Sequence, residues 1–438
     1  MSRPHLLIVG GGFGGLYLAR RLGRLPVTAT LVDRTNHHLF QPMLYQVATA
    51  ALSAPEISSP IRSILSRLRN VDVLLSDVVR VDASAKRVDL ADGTHLGYDH
   101  LVLATGARHS YFQHPEWEVL APGLKTLEDA GEVRRRILLA FERAEREVNP
   151  VLRQRHLTFV VVGGGPTGVE VAGAIVEIAR FALRRDFRRI DPREATVMLL
   201  EGGPRLLAAY PESLSAEAKE RLRRLGVDVR TETLVTDIEP GAVHAAGWRI
   251  PTDTVVWAAG NRASPLLETI GTPLDHQGRV VVEADCSVPG RPELFVVGDA
   301  AAYHHQKGFD PLPGTCPVAI QMGEYVAGAI GADLAGRPRR PFRYRNKGQL
   351  AVIGRGHAVA DLGRIRTSGF IAWLLWIFVH IFFLIGFRNR MIVLFEWAWS
   401  YLTFQRGARV ITGRWRPGDR SRADGSQITE EIAARPGP

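Results

Sequence analysis

The pattern that most constrains this chain occurs twice. At residues 6–15, LLIVGGGFGG, a short apolar run of buried-strand type leads into Gly10-x-Gly12-x-x-Gly15, and a helical segment follows at 16–25. The first glycine permits the tight turn out of the strand. The second lets the backbone approach a pyrophosphate, and the third lets the helix pack on the strand. A diphosphate would sit on the free N–H groups and positive dipole of the new helix. A second strand at 27–33 ends in Asp33, about 20 residues beyond the motif, where an acid can take a ribose 2′-hydroxyl. The same order recurs as strand 157–162, Gly163-x-Gly165-x-x-Gly168, a helix to about 183, and strand 196–201 ending in Glu201. The gap before that acid is longer because a basic stretch, 180–193, is inserted. Two complete patterns imply two bound nucleotides and an α/β chain with two Rossmann-like domains.

The 438 residues suffice for two or three domains, and 46% apolar content supports real cores. The net charge of +10, carried largely by arginine, suits a nucleic acid or an anionic membrane surface. No nucleic-acid fold signature is present, so the membrane is the better reading. Cys286 and Cys316 form no CxxC pair, which argues against a disulfide framework or a structural zinc site. Strand one begins a few residues after Met1, which leaves no room for a signal peptide and predicts an enzyme facing the cytoplasm.

Residues 36–50, NHHLFQPMLYQVATA, form a polar–aromatic connection whose two adjacent histidines read as solvated or cofactor-lining. An amphipathic helix is expected at 57–69. Short strands split by Asp92-Gly93 follow, the last running into Ala104-Thr105-Gly106. A charged helix at 127–147 is ended by Asn149-Pro150. Residues 253–260 echo 101–106, and strand 294–301 carries the exposed acid Asp299. A helix containing Gln321 runs to 334, and 336–341 acts as a linker. The region 370–387 has only His380 as an ionisable residue and is bounded by Arg364, Arg366, Arg388 and Arg390. A second apolar segment at 391–404 carries only Glu396. The tail after Arg414 reads as disordered.

The two fingerprints, Ala104-Thr105-Gly106 and Gly298-Asp299 resemble the flavoproteins with two dinucleotide-binding domains. NHHLFQPMLYQVAT, GGGPTGVE at 163–170, the Gln321 helix and the Arg-flanked apolar region resemble the type II NADH:quinone oxidoreductases, over nearly the whole chain to about 413. The resemblance implies that Gly10, Gly12 and Gly15 hold the FAD pyrophosphate and Asp33 its adenosine ribose. Thr105 and Gly106 then lie close to the FAD, and Asp299 binds its ribityl or phosphate end. Gly163, Gly165 and Gly168 hold NADH, with Glu201 on its ribose. Glu170 and Gln321 lie near the flavin, where nicotinamide and quinone meet it. Many members carry another Gln one turn before Gln321, where this chain has Pro317. Lys347 in YRNKG matches a further family position.

Each role has a plainer alternative. Asp299 can be a turn acid. Glu170 can be a first-turn acid that complements the helix dipole instead of relaying a proton or orienting the nicotinamide. Gln321 can be an amide satisfied by backbone. The 18 residues of 370–387 make about 27 Å of helix, so a spanning helix competes with helices lying on the surface and with a core helix. Trp373, Trp376, Trp397 and Trp399 suit interfacial anchoring, which favours the surface arrangement.

The expected organisation is an FAD-binding domain at 1–120 and 285–340, an NADH-binding domain at 121–284, a membrane-anchoring helical region at 341–413 and a polar tail at 414–438. The expected function is non-proton-pumping electron transfer from NADH through FAD to a membrane quinone. Expected partners are that quinone and an anionic lipid surface on the cytoplasmic face of the membrane, possible homodimerisation included, with no nucleic acid and no metal. Competing readings are a soluble pyridine-nucleotide flavin reductase, a sulfide:quinone oxidoreductase and an NADH-binding redox-sensing flavoprotein.

Overall fold

The computed structural model describes residues 3–403 and 407–412; the expected tail at 414–438 lies outside them. The chain divides into two units. The first holds the described residues of 1–40, 55–110 and 261–347, and the second holds 41–54, 111–260 and the described residues from 348.

The first unit is built on a six-stranded sheet in the spatial order Ser287–Val288, Arg291–Val296, His100–Leu103, His5–Val9, Thr28–Asp33 and Val71–Leu75. All pairings are parallel except that of Ser287–Val288 with Arg291–Val296. Leu6, Leu7, Ile8, Leu101, Val102 and Phe295 are wholly buried, as continuous apolar strands covered on both faces should be. The Phe13–Arg21 and Cys316–Leu334 helices pack closely, because a Cβ on Gly323 would lie 2.2 Å from the Gly14 carbonyl oxygen. The Asp92-Gly93 turn joins Arg87–Leu90 to His95–Gly97 as an antiparallel hairpin, as expected.

The second unit carries a four-stranded parallel sheet in the order Val227–Arg230, Thr196–Leu200, Thr158–Val162 and Thr254–Trp257. Its core gathers Tyr111, Trp117, Val160, Met198 and Trp257, with the Tyr111 and Trp257 rings stacked at 5.2 Å. The Leu127–Arg146 helix opens on a reciprocal cap, in which Thr126 Oγ1 accepts from the Asp129 N–H and the Asp129 carboxylate accepts from the Thr126 N–H. The described residues from Gly348 onward cluster with this unit. Its strands Gln349–Val352, Ala358–Asp361 and Arg366–Gly369 form an antiparallel sheet, followed by helices Phe370–Phe383 and Phe387–Thr403.

Three local expectations change. The helix expected at 57–69 is only Ile61–Leu65, because Ser58–Pro60 pairs as a strand with His37–Leu39. Pro60 pushes Ser59 out of the helical region, so no helix can run through it. Asn149-Pro150 does more than end a helix. Asn149 Oδ1 accepts from the Val151 N–H at 2.9 Å and starts the next helix, Pro150–His156. The apolar 370–387 segment breaks after Phe383, and among the described residues no helix is long and apolar enough to cross a membrane.

Candidate functional site

Each fingerprint builds the same cradle from the same three glycines. Gly10 has φ +105°, and a Cβ there would lie 2.4 Å from the Ala104 carbonyl oxygen. A Cβ on Gly15 would lie 1.9 Å from the Gly10 carbonyl oxygen. Nothing stands within 4 Å of a Cβ on Gly12, so the middle position of the motif faces open space. In the second unit Gly163 has φ +108°, with the Ala258 backbone at 2.7 Å. A Cβ on Gly168 would lie 1.8 Å from the Gly163 carbonyl oxygen, and Gly165 again faces open space. The outer glycines are demanded by the fold. No described protein atom demands the middle one.

The two strand-end acids also act alike. Asp33 Oδ2 accepts from the Gly11 N–H at 2.5 Å, and its Oδ1 accepts from the Thr35 N–H and hydroxyl, each at 2.7 Å. Glu201 Oε2 accepts from the Gly164 N–H at 2.5 Å, and Oε1 from the Gly203 N–H at 2.6 Å. Each acid thereby fixes its own glycine loop while standing beside it.

The first unit gathers further polar groups without protein partners. Thr105 Oγ1 is buried and unbonded. Gly106, with φ +65°, leaves open space beside it. The half-buried Asp299 carboxylate takes no hydrogen bond from any described residue. It lies so close to Gly314 that a Cβ there would meet it at 3.2 Å. His38, one of the two adjacent histidines read as solvated or cofactor-lining, is buried against the Phe13 ring edge. Burial lowers its pKa to about 4. A neutral ring whose Nδ1 donates to the Gly11 carbonyl at 3.1 Å leaves Nε2 as a bare acceptor, and that atom is buried and unpaired. The sequence signal was the position of His38 just after the ribose-type acid.

Gln321 is tied to backbone through both ends of its amide. Its Nε2 donates to the Arg345 carbonyl and its Oε1 accepts from the Arg345 N–H, both at 3.0 Å. The backbone-satisfied alternative describes its contacts.

Glu170 lies in the second unit, on the Pro166–Glu177 helix. The helix begins at Pro166 and its first turn holds no acid, so the dipole-complementing alternative does not apply. The side chain is half-buried and crowded by protein. Desolvation raises its pKa to about 8, against a weak pull from the Val352 N–H at 3.4 Å. The carboxyl is therefore mostly protonated at neutral pH. Tyr210, buried nearby, has its hydroxyl pKa raised by burial and then by the Glu170 charge.

The C-terminal helices also depart from expectation. Trp376 is buried, stacked on His380 at 4.0 Å and tilted against Trp397 at 5.3 Å. Trp397 Nε1 in turn donates to the buried Gln46 Oε1. These two tryptophans pack inward, whereas Trp399 is exposed. Phe370, Ile371, Phe378, Phe382, Phe395 and Leu402 expose a broad apolar surface on the same pair of helices.

Two glycine cradles, each closed by an acid, define a flavoprotein-type reductase. Residues 4–323 match the pyridine nucleotide-disulphide oxidoreductase family, and residues 346–406 match the NDH2 C-terminal domain. The chain is 43% identical over 425 residues to the type II NADH:quinone oxidoreductase Ndh of Mycobacterium tuberculosis, covering 94% of this chain and 90% of the relative. It is 32% identical to the demethylphylloquinone reductase NdbB of Synechocystis, covering 90% and 96%. The fold matches NDH2 from Plasmodium falciparum, solved in complex with NADH, at a TM-score of 0.85, with 19% identity and coverage of 94% and 100%. A sulfide:quinone oxidoreductase from Aquifex aeolicus shares the fold at a TM-score of 0.69 and 20% identity, covering 88% and 92%. This chain belongs to the type II NADH:quinone oxidoreductases. It is an NADH:quinone oxidoreductase with FAD as its cofactor and NADH as its substrate, and the soluble-reductase, sulfide and sensing alternatives are not favoured.

Proposed function

We propose that this enzyme works while docked on one leaflet of a membrane and takes its quinone from that leaflet. The exposed apolar surface of Phe370–Phe383 and Phe387–Thr403, on helices too short to cross, carries this reading. A surface of that extent on a soluble domain marks an interaction site, and helices of this kind bury their apolar side at the lipid interface. The +10 charge favours an anionic, cytoplasmic-facing leaflet.

FAD, when bound, supplies the chemistry, taking a hydride's electrons from NADH and delivering them to a quinone. Gly10, Gly12, Gly15 and Asp33 would hold its pyrophosphate and ribose. Thr105, Gly106 and Asp299 would supply the remaining hydrogen bonds, a role supported by the unpaired Thr105 Oγ1 and the free Asp299 carboxylate. Gly163, Gly165, Gly168 and Glu201 would hold NADH. Glu170 keeps a proton on its carboxyl at neutral pH, on the helix that starts at the NADH cradle. Gln321 positions the Arg345 backbone.

The membrane reading is tested in the full chain with Phe378→Ser, Phe382→Ser and Leu402→Ser combined. The variant should stop sedimenting with membranes and lose turnover with long-tailed quinones, while still oxidising NADH with a water-soluble quinone. Unchanged sedimentation would remove the reading.

A further inference from the structure

The insertion between the second fingerprint helix and its acid-bearing strand contributes no residue to either glycine cradle described above. Residues 180–193, RFALRRDFRRIDPR, carry six arginines against two aspartates. Two of the arginines are engaged inside the unit. Arg180 packs against Gly226, and Arg193 pairs with Asp191. The other four, Arg184, Arg185, Arg188 and Arg189, are exposed, and no guanidinium among them hydrogen-bonds or forms a close ion pair with a described residue, although Arg184 and Arg189 feel the charges of Asp191 and Glu145.

The loop that presents them is firmly held. The Glu145 carboxylate accepts from three successive backbone N–H groups, those of Arg188, Arg189 and Ile190, at 2.9 to 3.1 Å. Phe187 turns inward and stacks on Phe141 at 6.0 Å. Asp186 pairs with Arg409 at 2.5 Å, and Arg409 also donates to the Ala182 carbonyl at 2.7 Å. Backbone and aromatic anchors are thus satisfied internally while four guanidiniums are left in solvent. Holding like charges together costs self-repulsion, which an anionic partner relieves.

The same anchors place the array beside the apolar helices. Asp186 and Arg409 line a cavity of about 600 Å³ together with Phe395, Glu396 and Trp399 of the Phe387–Thr403 helix. Phe181, at the start of the insertion, is itself exposed.

We infer that Arg184, Arg185, Arg188 and Arg189 form a preorganised site for the phosphates of an anionic phospholipid leaflet, engaged as the neighbouring apolar helices bury their side chains. The partner is a lipid surface and not an acidic protein, because charge and exposed apolar surface lie together on the same unit, the two features that an interfacial anchor combines. Guanidiniums fork onto phosphate oxygens, which explains arginine in place of lysine. The inference rests on the membrane reading above and deepens it by assigning the headgroup-recognising residues to the insertion.

The test uses the full-length holoenzyme with vesicles of phosphatidylcholine alone or with phosphatidylglycerol. The combined Arg184→Gln, Arg185→Gln, Arg188→Gln and Arg189→Gln variant is compared with the parent chain. Each basic residue near an anionic leaflet is worth about fivefold in affinity. If the four contributions are independent, the variant should therefore lose roughly several hundred-fold in binding to anionic vesicles and most of its salt dependence. Binding to phosphatidylcholine alone and NADH oxidation with a soluble acceptor should be unchanged. The four-lysine variant should retain most of the anionic preference. Separate Arg184/Arg185 and Arg188/Arg189 pairs, each showing part of the loss with normal flavin content, guard against misfolding. An undiminished, salt-sensitive preference in the glutamine variants would overturn the inference and leave the membrane reading standing. Failure of the parent chain to bind either vesicle would overturn both. Loss of a co-purifying acidic protein or nucleic acid, with vesicle binding unchanged, would reassign the site to that partner.

Discussion

Trp397 Nε1 donates to Gln46 Oε1 at 2.7 Å, joining the last described helix to the early QPMLYQ segment. The Gln46 amide donates onward to the Tyr45 hydroxyl at 3.1 Å. Trp397→Phe should leave a buried carbonyl oxygen without its donor, at a cost of about 1–3 kcal/mol. Thermal unfolding should move down by a few degrees while flavin content stays constant. Adding Gln46→Leu should recover part of the loss, because it removes the orphaned carbonyl oxygen, less what the Tyr45 hydroxyl loses with its donor. A double variant no more stable than Trp397→Phe would count against this pair.

Glu170 sets a pH dependence. Its folded pKa is raised to about 8 from an ordinary 4.5, so between these values the folded chain holds a proton that the unfolded chain has lost. Stability is fully present below about 4.5 and declines as pH rises through 8, with a limiting slope of about 1.4 kcal/mol per pH unit. Glu170→Gln should lack that slope and gain stability over the parent as pH rises. Denaturant melts at pH 5, 7 and 9 check it, and parallel curves would return Glu170 to an ordinary pKa. Quinone turnover should change with FAD still bound.

The glycines separate fold from ligand. Gly15→Ala and Gly168→Ala place a Cβ inside 2 Å of a carbonyl oxygen and should abolish soluble expression. Gly12→Ala meets no protein atom, so it should fold and yet purify without flavin. Gly165→Ala should retain flavin and raise the KM for NADH by tenfold or more. Absorbance at the flavin band and circular dichroism distinguish these outcomes. A flavin-replete Gly12→Ala protein would remove the pyrophosphate from that loop.

NADH should be preferred over NADPH by about 100-fold or more in kcat/KM, since the Glu201 carboxylate repels a 2′-phosphate. Arg205, four residues on, does not offset this. Its guanidinium is fixed on the Tyr210 carbonyl at 2.7 Å and the Ala208 carbonyl at 2.8 Å. Arg205→Ala should therefore leave the ratio of the two kcat/KM values unchanged, whereas Glu201→Gln should narrow it.

The cradles were readable in sequence because their requirement is local. A glycine facing its own loop's carbonyl is a steric demand that one short stretch states completely. Glu170 was placed one turn too early by counting from Gly168, whereas Pro166 begins the helix. The Arg345 backbone on Gln321 and Trp397 on Gln46 are contacts between distant segments, which no periodicity encodes. Trp376 was assigned outward because 370–387 is apolar on every side, so its pattern does not say which face turns inward. The His38 acceptor emerges only from the fold, where burial keeps the ring neutral and the Gly11 carbonyl places its proton on Nδ1.

The second unit includes residues 41–54, made early, and residues from 348 onward, made late. On the ribosome, Met43, Leu44 and Val47 emerge before the helices that pack on them, and Trp397 follows Gln46 by 351 residues. The nascent chain thus carries this apolar segment uncovered until the Leu127–Arg146 and Pro166–Glu177 helices that pack on it have been made, the condition under which growing chains recruit chaperones or aggregate. Neither unit is one continuous stretch of sequence, so the order of manufacture cannot be the order of folding.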